Sequence, residues 1–186
     1  MSAAVAQRAG NVAPTQGMRR YRDPRFDATA VKVFPGDVYV TAAADEMLVT
    51  VVGSCVSACI RDPYTGIGGM NHFMLPEPGQ VMADGERPSA RYGKVAMDRL
   101  IEEIVARGGL RERLEIKLFG GGNVMQGSGS IGHRNADFAE AYLARHKLLL
   151  SGADLRGTQP RRVHYFPASG RAMILEMLDT DAAPAA

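Results

Sequence analysis

Two cysteines and four histidines are the whole thiol and imidazole complement of this 186-residue chain. Both cysteines and one histidine fall together in Gly53-Ser54-Cys55-Val56-Ser57-Ala58-Cys59-Ile60, continuing to Gly69-Met70-Asn71-His72-Phe73-Met74-Leu75-Pro76. A thiol beside an imidazole is the usual route to a thiolate nucleophile at neutral pH. Cys55 also follows Gly53-Ser54 directly after the apolar, β-branched run Leu48-Val49-Thr50-Val51-Val52. A nucleophile just past a strand end lies near free backbone N–H groups suited to an oxyanion. The same residues carry two other readings. A free cysteine is often a small buried hydrophobe. Alternatively Cys55, Cys59 and His72 are three zinc ligands, the fourth being remote (His133, His146, His164 or an acid) or water. Spacing alone leaves these three readings open.

Asp62-Pro63-Tyr64-Thr65-Gly66 interrupts the stretch with a turn signal: Asp first, Pro with its fixed φ next, Gly close behind. Apolar residues on both sides predict a β-hairpin over 56–60 and 67–74. A turn centred between Pro63 and Tyr64 sets Cys55 directly across from His72, with Cα atoms about 4.5 to 5.5 Å apart. A bulge at Gly66 would move that register by one.

The elements that must hold these groups follow from composition and pattern. Hydrophobic residues make up 46% of the chain and charged residues 23%, with a net charge of +2, the profile of a soluble globular protein. That charge gives no argument for nucleic-acid binding, and no apolar run is long enough to span a membrane. The N-terminus lacks a signal-peptide core, and two cysteines without an export signal point to reduced thiols in the cytoplasm. Residues 1–17 are Ala, Gln, Gly and Pro rich and read as a disordered arm. Residues 18–25 read as a basic segment laid on the domain. The domain is expected to run over 18–178, with a frayed tail at 179–186.

Within it, strands are expected at 31–33, 38–40 and 47–52, then the hairpin, then a polar loop over 77–88. A helix from Ser89 to Gly108 carries Met97, Leu100, Ile101, Ile104 and Val105 at the helical period. Ile116 and Leu118 mark a strand leading into Gly120-Gly121-Gly122-Asn123. Asn135 reads as the N-cap of a second helix reaching Leu149. A short strand near Asp154 and a hairpin at 163–166 and 172–178 close the domain. Two helices cannot cover both faces of one large parallel sheet, so the class is α+β, a single domain. The GxGxxG string from Gly127 to Gly132 lies too far from its strand to be a dinucleotide site. His146 reads as a half-exposed helix residue and His164 as solvent-facing.

At these residues the sequence resembles the CheD family, the chemoreceptor glutamine deamidases of bacterial chemotaxis, over about residues 30–175. The most specific match is Gly53-Ser54-Cys55-Val56 through Ile67-Gly68-Gly69-Met70-Asn71-His72-Phe73-Met74-Leu75-Pro76. Phe119-Gly120-Gly121-Gly122-Asn123 and Ile131-Gly132-His133-Arg134-Asn135 are two further matching runs. The resemblance implies a layered α/β/β/α sandwich of mostly antiparallel or mixed sheets, a Cys55 nucleophile, a His72 general base and Thr50 as third member. It assigns Cys59 to packing and treats His133 as a variable position. It implies no cofactor and no metal. The implied substrates are glutamines on the cytoplasmic helical region of methyl-accepting chemoreceptors, with glutamyl methyl esters as a second substrate. A CheC-like phosphatase is an implied partner, with neither nucleic acid nor membrane insertion. A receptor-binding adaptor without catalysis is the alternative.

Overall fold

The computed structural model describes residues 19–77, 89–124 and 131–177. The expected arm at 1–17, the loop at 78–88, the Gly127-Ser128-Gly129-Ser130 part of the glycine string and the tail at 179–186 lie outside those residues.

Ten strands and two helices follow in the order β1 (Arg20–Asp23), β2 (Ala28–Lys32), β3 (Val38–Thr41), β4 (Glu46–Val52), β5 (Val56–Arg61), β6 (Gly68–Asn71), α1 (Gly93–Ala106), β7 (Glu115–Gly120), α2 (Ile131–Arg145), β8 (Leu149–Leu155), β9 (Arg161–Phe166) and β10 (Arg171–Glu176). They build two five-stranded sheets, β1-β2-β4-β9-β10 and β3-β6-β5-β7-β8. All neighbours are antiparallel except β2 with β4 and β7 with β8.

Alternation along the strands explains the layers. Leu48 and Val52 of β4 point between the sheets, meeting Val31, Cys59, Met70, Val163 and Tyr165. Val56, Ala58 and Ile60 of β5 point the other way, under the helices. There α1 buries Met97, Leu100, Ile101 and Ile104, each such side chain contributing about 1.5 to 3 kcal/mol. Both described helices pack on this second sheet. The outer face of the first sheet holds Ala28, Ala30, Met47 and Val49 beneath Phe26 and Phe166. The α+β sandwich of mixed sheets expected from the sequence is therefore the architecture found. Of the expected α/β/β/α order, the helical layer lies on one side among the described residues.

Several local readings change. The basic segment at 18–25 contains a strand, β1, paired antiparallel with β2. α1 starts at Gly93 because Ser89 to Tyr92 form a turn, Tyr92 N–H donating to the Ser89 carbonyl at 3.1 Å, and because Met74 and Leu75 N–H groups hold the Arg91 carbonyl at 2.9 and 3.1 Å. α2 starts at Ile131, so Asn135 lies inside it, and Leu149 already belongs to β8.

The hairpin register also differs. Asp62 N–H donates to the Ile67 carbonyl at 2.9 Å and Gly66 N–H to the Asp62 carbonyl at 3.0 Å. The loop is thus Pro63-Tyr64-Thr65-Gly66, with Gly66 at φ +70°. Val56 consequently pairs with Phe73 rather than Asn71, and Cys55 does not sit directly across from His72. The displacement is two residues, an even number, so both side chains keep the face between the sheets. Cys55 and His72 become diagonal neighbours flanking the Val56–Phe73 pair, on the same face of the hairpin.

Asp62 anchors this hairpin. Its carboxylate is fully buried. It accepts from Tyr64 N–H at 2.9 Å, Leu110 N–H at 2.9 Å and Arg113 Nε at 3.0 Å. Removing it leaves two part-buried N–H groups and a guanidinium without their acceptor. Asp62→Ala is expected to lower unfolding stability by about 3 kcal/mol, seen as a lower urea midpoint at unchanged slope. Asp137→Ala, at an exposed ion pair with Arg156, should change it by no more than about 0.5 kcal/mol.

Candidate active site

Cys55 lies in the short connection between β4 and β5, and the backbone carbonyls of that connection are all held. Gly122 N–H donates to the Gly53 carbonyl and Gly121 N–H to the Cys55 carbonyl, both at 2.8 Å. Asn135 Nδ2 donates to the Ser54 carbonyl and to the Met74 carbonyl, both at 2.9 Å. One buried amide thus ties the cysteine loop to the strand end that follows His72. The two glycine-containing runs beyond the hairpin clamp the loop from the other side. Gly120 has φ +104°, and a Cβ there would stand 2.2 Å from the Cys55 carbonyl oxygen. A Cβ on Gly132 would stand 2.1 Å from the Gly122 carbonyl oxygen, so α2 packs backbone to backbone on the clamp. Sequence reasoning missed this role for Asn135. The only local signal was the recurrence of glycine where chain segments must touch.

His72 follows β6 and is buried, its N–H donating to the Asp37 carbonyl at 3.1 Å and its carbonyl accepting from Gly36 N–H at 2.7 Å. Thr50, on β4 of the opposite sheet, reaches it: Thr50 Oγ1 and His72 Nδ1 are 2.8 Å apart. Thr50 Oγ1 also lies 2.7 Å from the Val33 carbonyl oxygen. A carbonyl only accepts, so the single hydroxyl proton of Thr50 goes to Val33. The contact with His72 then requires Nδ1–H as donor. This relay fixes the imidazole tautomer and leaves the Nε2 lone pair available. Nε2 is buried without a hydrogen-bond partner among the described residues.

Burial also sets the charges. It lowers the His72 imidazole from its ordinary value to about 4. It raises the Cys55 thiol, partly countered by the residue's own backbone N–H. The resting pair is therefore a neutral thiol and a neutral imidazole at pH 7.

Cys59 is fully buried between the sheets and its thiol is pushed well up by burial, which suits packing. His133 and His146 are exposed on and just after α2, His146 stacking on Tyr142 at 4.3 Å. His164 faces outward from β9 but is buried rather than solvent-facing, its ring 5.2 Å from that of Phe26. Among the described residues no group of three or more His, Cys, Asp or Glu is placed to hold a metal ion. No helix among them is long and apolar enough to cross a membrane.

A cleft of about 270 Å³ opens beside this site, lined by Thr50 and His72 and by residues of β1, β2, β4 and β9. Cys55 is not among its lining residues.

Comparison with known proteins gives a consistent picture. The family model described as CheD chemotactic sensory transduction matches residues 74–176, beginning just after His72. A protein of Rhodopseudomonas palustris (strain BisA53), named a probable chemoreceptor glutamine deamidase CheD, is 64% identical over 164 residues, covering 88% of this chain and 77% of the relative. Proteins of the same name from Halorhodospira halophila and Saccharophagus degradans are 49% and 50% identical, covering 88% and 85% of this chain and 77% and 75% of their own lengths. The matched family model and this degree of identity place the chain in the CheD family.

Proposed function

We propose that this chain is a protein-glutamine deamidase acting on chemoreceptors, with Cys55 as nucleophile, His72 as general base and acid, and Thr50 holding the tautomer of His72. The supporting observation is the relay from His72 Nδ1 through Thr50 to the Val33 carbonyl, which leaves Nε2 as the base. The relatives' names supply the substrate class.

In the first half-reaction, the Cys55 Sγ–H proton moves to His72 Nε2 as sulfur bonds to the glutamine carboxamide carbon. The protonated imidazole then returns the proton to the leaving nitrogen; the C–N bond breaks, and ammonia departs from a thioester. In the second, water loses a proton to Nε2 and attacks that carbon. The C–S bond breaks, sulfur recovers the proton, and glutamate is released. Backbone N–H groups of Ser54 and Cys55 are the proposed oxyanion donors. The same steps would release methanol from a glutamyl methyl ester. The catalytic domain is assigned to residues 18–178, working in the cytoplasm, where a CheC-like phosphatase would compete with the receptor for it.

Intact-mass analysis of a purified receptor cytoplasmic fragment tests this reading. Incubation with the protein should add about 1 Da per modified glutamine, with one ammonia released for each. Saturable binding with neither mass gain nor ammonia would point instead to an adaptor.

A further inference from the structure

The cleft beside His72 is more than an entrance, because its charge is one-sided. Lys32 and Arg162 line it from opposite flanks of β4: Lys32 pairs with Val49 and Arg162 with Val51. Among the described residues neither makes an ion pair and no acidic side chain lines the cleft. Lys32 Nζ instead rests 5.7 Å from the centre of the Tyr21 ring. Phe34 and Val51, each 43% exposed, stand at its rim and would exclude water from an occupant.

A carboxamide is neutral and gains little from two cations. A carboxylate gains from both, more so where apolar walls reduce screening. The cleft is lined by His72, the proposed base, so its occupant lies against the residue that would carry the proton. On a helical substrate, residues three or four apart lie on one face about 5 to 6 Å apart, so a glutamine and an acidic neighbour are presented together.

We propose that Lys32 and Arg162 form a subsite for a glutamate or aspartate neighbouring the target glutamine, making acidic-flanked glutamines the preferred substrates. This rests on the deamidase reading, and the experiment separates the two. Three fluorescent helical peptides would differ only in carrying Glu, Ala or Lys one turn from a single glutamine. Their binding to the Cys55→Ala protein is read by anisotropy, and ammonia release is read with the unsubstituted protein. The Glu peptide should bind about tenfold tighter than the Ala peptide and the Lys peptide weakest. The Lys32→Glu/Arg162→Glu protein, with its fold confirmed by circular dichroism, should reverse that order. Preference in binding without ammonia release from any peptide would uphold the subsite and count against the deamidase reading. Equal binding of all three peptides, or an order unchanged by charge reversal, would overturn the subsite, whether or not ammonia is released.

Discussion

Cys55→Ala should reduce ammonia release from a receptor fragment to background, a loss of at least about a thousandfold, while leaving the unfolding midpoint almost unchanged. The residue is only partly buried at the edge of the core between the sheets, so losing its sulfur opens little void. Its loop is held through backbone carbonyls, which the substitution does not touch. Cys59→Ala should show the opposite pattern. That sulfur lies wholly inside the core, so stability should fall by about 1 to 2 kcal/mol while the folded fraction keeps its turnover. The contrast separates a thiol that reacts from one that packs. Both proteins need only a urea titration and an ammonia assay.

His72→Gln should lower kcat about a thousandfold and change the response of stability to acid. Gln can still accept and donate hydrogen bonds, but it cannot carry the proton between sulfur and the leaving nitrogen. The stability effect follows from burial, which lowers the folded-state imidazole to about 4. An unfolded chain takes up that proton near pH 6.5. Between these values the unfolded state binds more protons, so neutral His72 contributes fully above about pH 6.5 and its contribution fades as pH falls to 4. The wild-type protein should therefore lose about 3 kcal/mol over that window from this one group, and His72→Gln should lack that component. Urea titrations of both proteins at pH 7 and pH 4.5 check it. In the wild type, the acid limb of kcat/KM should likewise fall near the lowered value rather than at that of a free imidazole.

The two hairpin loops show what was legible and what was not. Pro63-Tyr64-Thr65-Gly66 and Pro167-Ala168-Ser169-Gly170 are the same local pattern, each ending in glycine at φ +70° and +73°. In each, the glycine N–H returns to the residue before proline, at 3.0 Å to the Asp62 carbonyl and 2.8 Å to the Phe166 carbonyl. The following N–H meets the Thr65 or Ser169 hydroxyl, both at 3.3 Å. Reading the second loop as four residues identified its hairpin. Centring the first one residue early displaced the pairing of Val56 by two. Face was preserved, which is why Cys55, His72 and the β-branched strand bearing Thr50 could be read as one neighbourhood.

Other features had no local signature. Asn135 resembles a helix cap because it is a polar residue ahead of a helical period. Its partners lie 81 and 61 residues away along the chain, and only the packed α2 brings them together. Thr50 reaches His72 across two different sheets, a contact that neither strand pattern encodes. The family resemblance named Thr50, and the 2.8 Å contact supplies a physical reason for it. Arg20–Asp23 was hidden because its strand is short, charged and exposed at a sheet edge, where apolar alternation is not required.

The most direct test of the proposed chemistry is the intact mass of the protein itself during turnover. A synthetic peptide carrying one reactive glutamine is mixed with it, and the reaction is stopped in acid within the first turnover. The chemistry predicts a species heavier than the free protein by the peptide mass less about 17 Da, the ammonia lost on forming a thioester. Fragmentation should place the adduct on Cys55, and hydroxylamine should remove it. Continued deamidation with no such adduct, and undiminished in Cys55→Ala, would contradict nucleophilic catalysis by this cysteine.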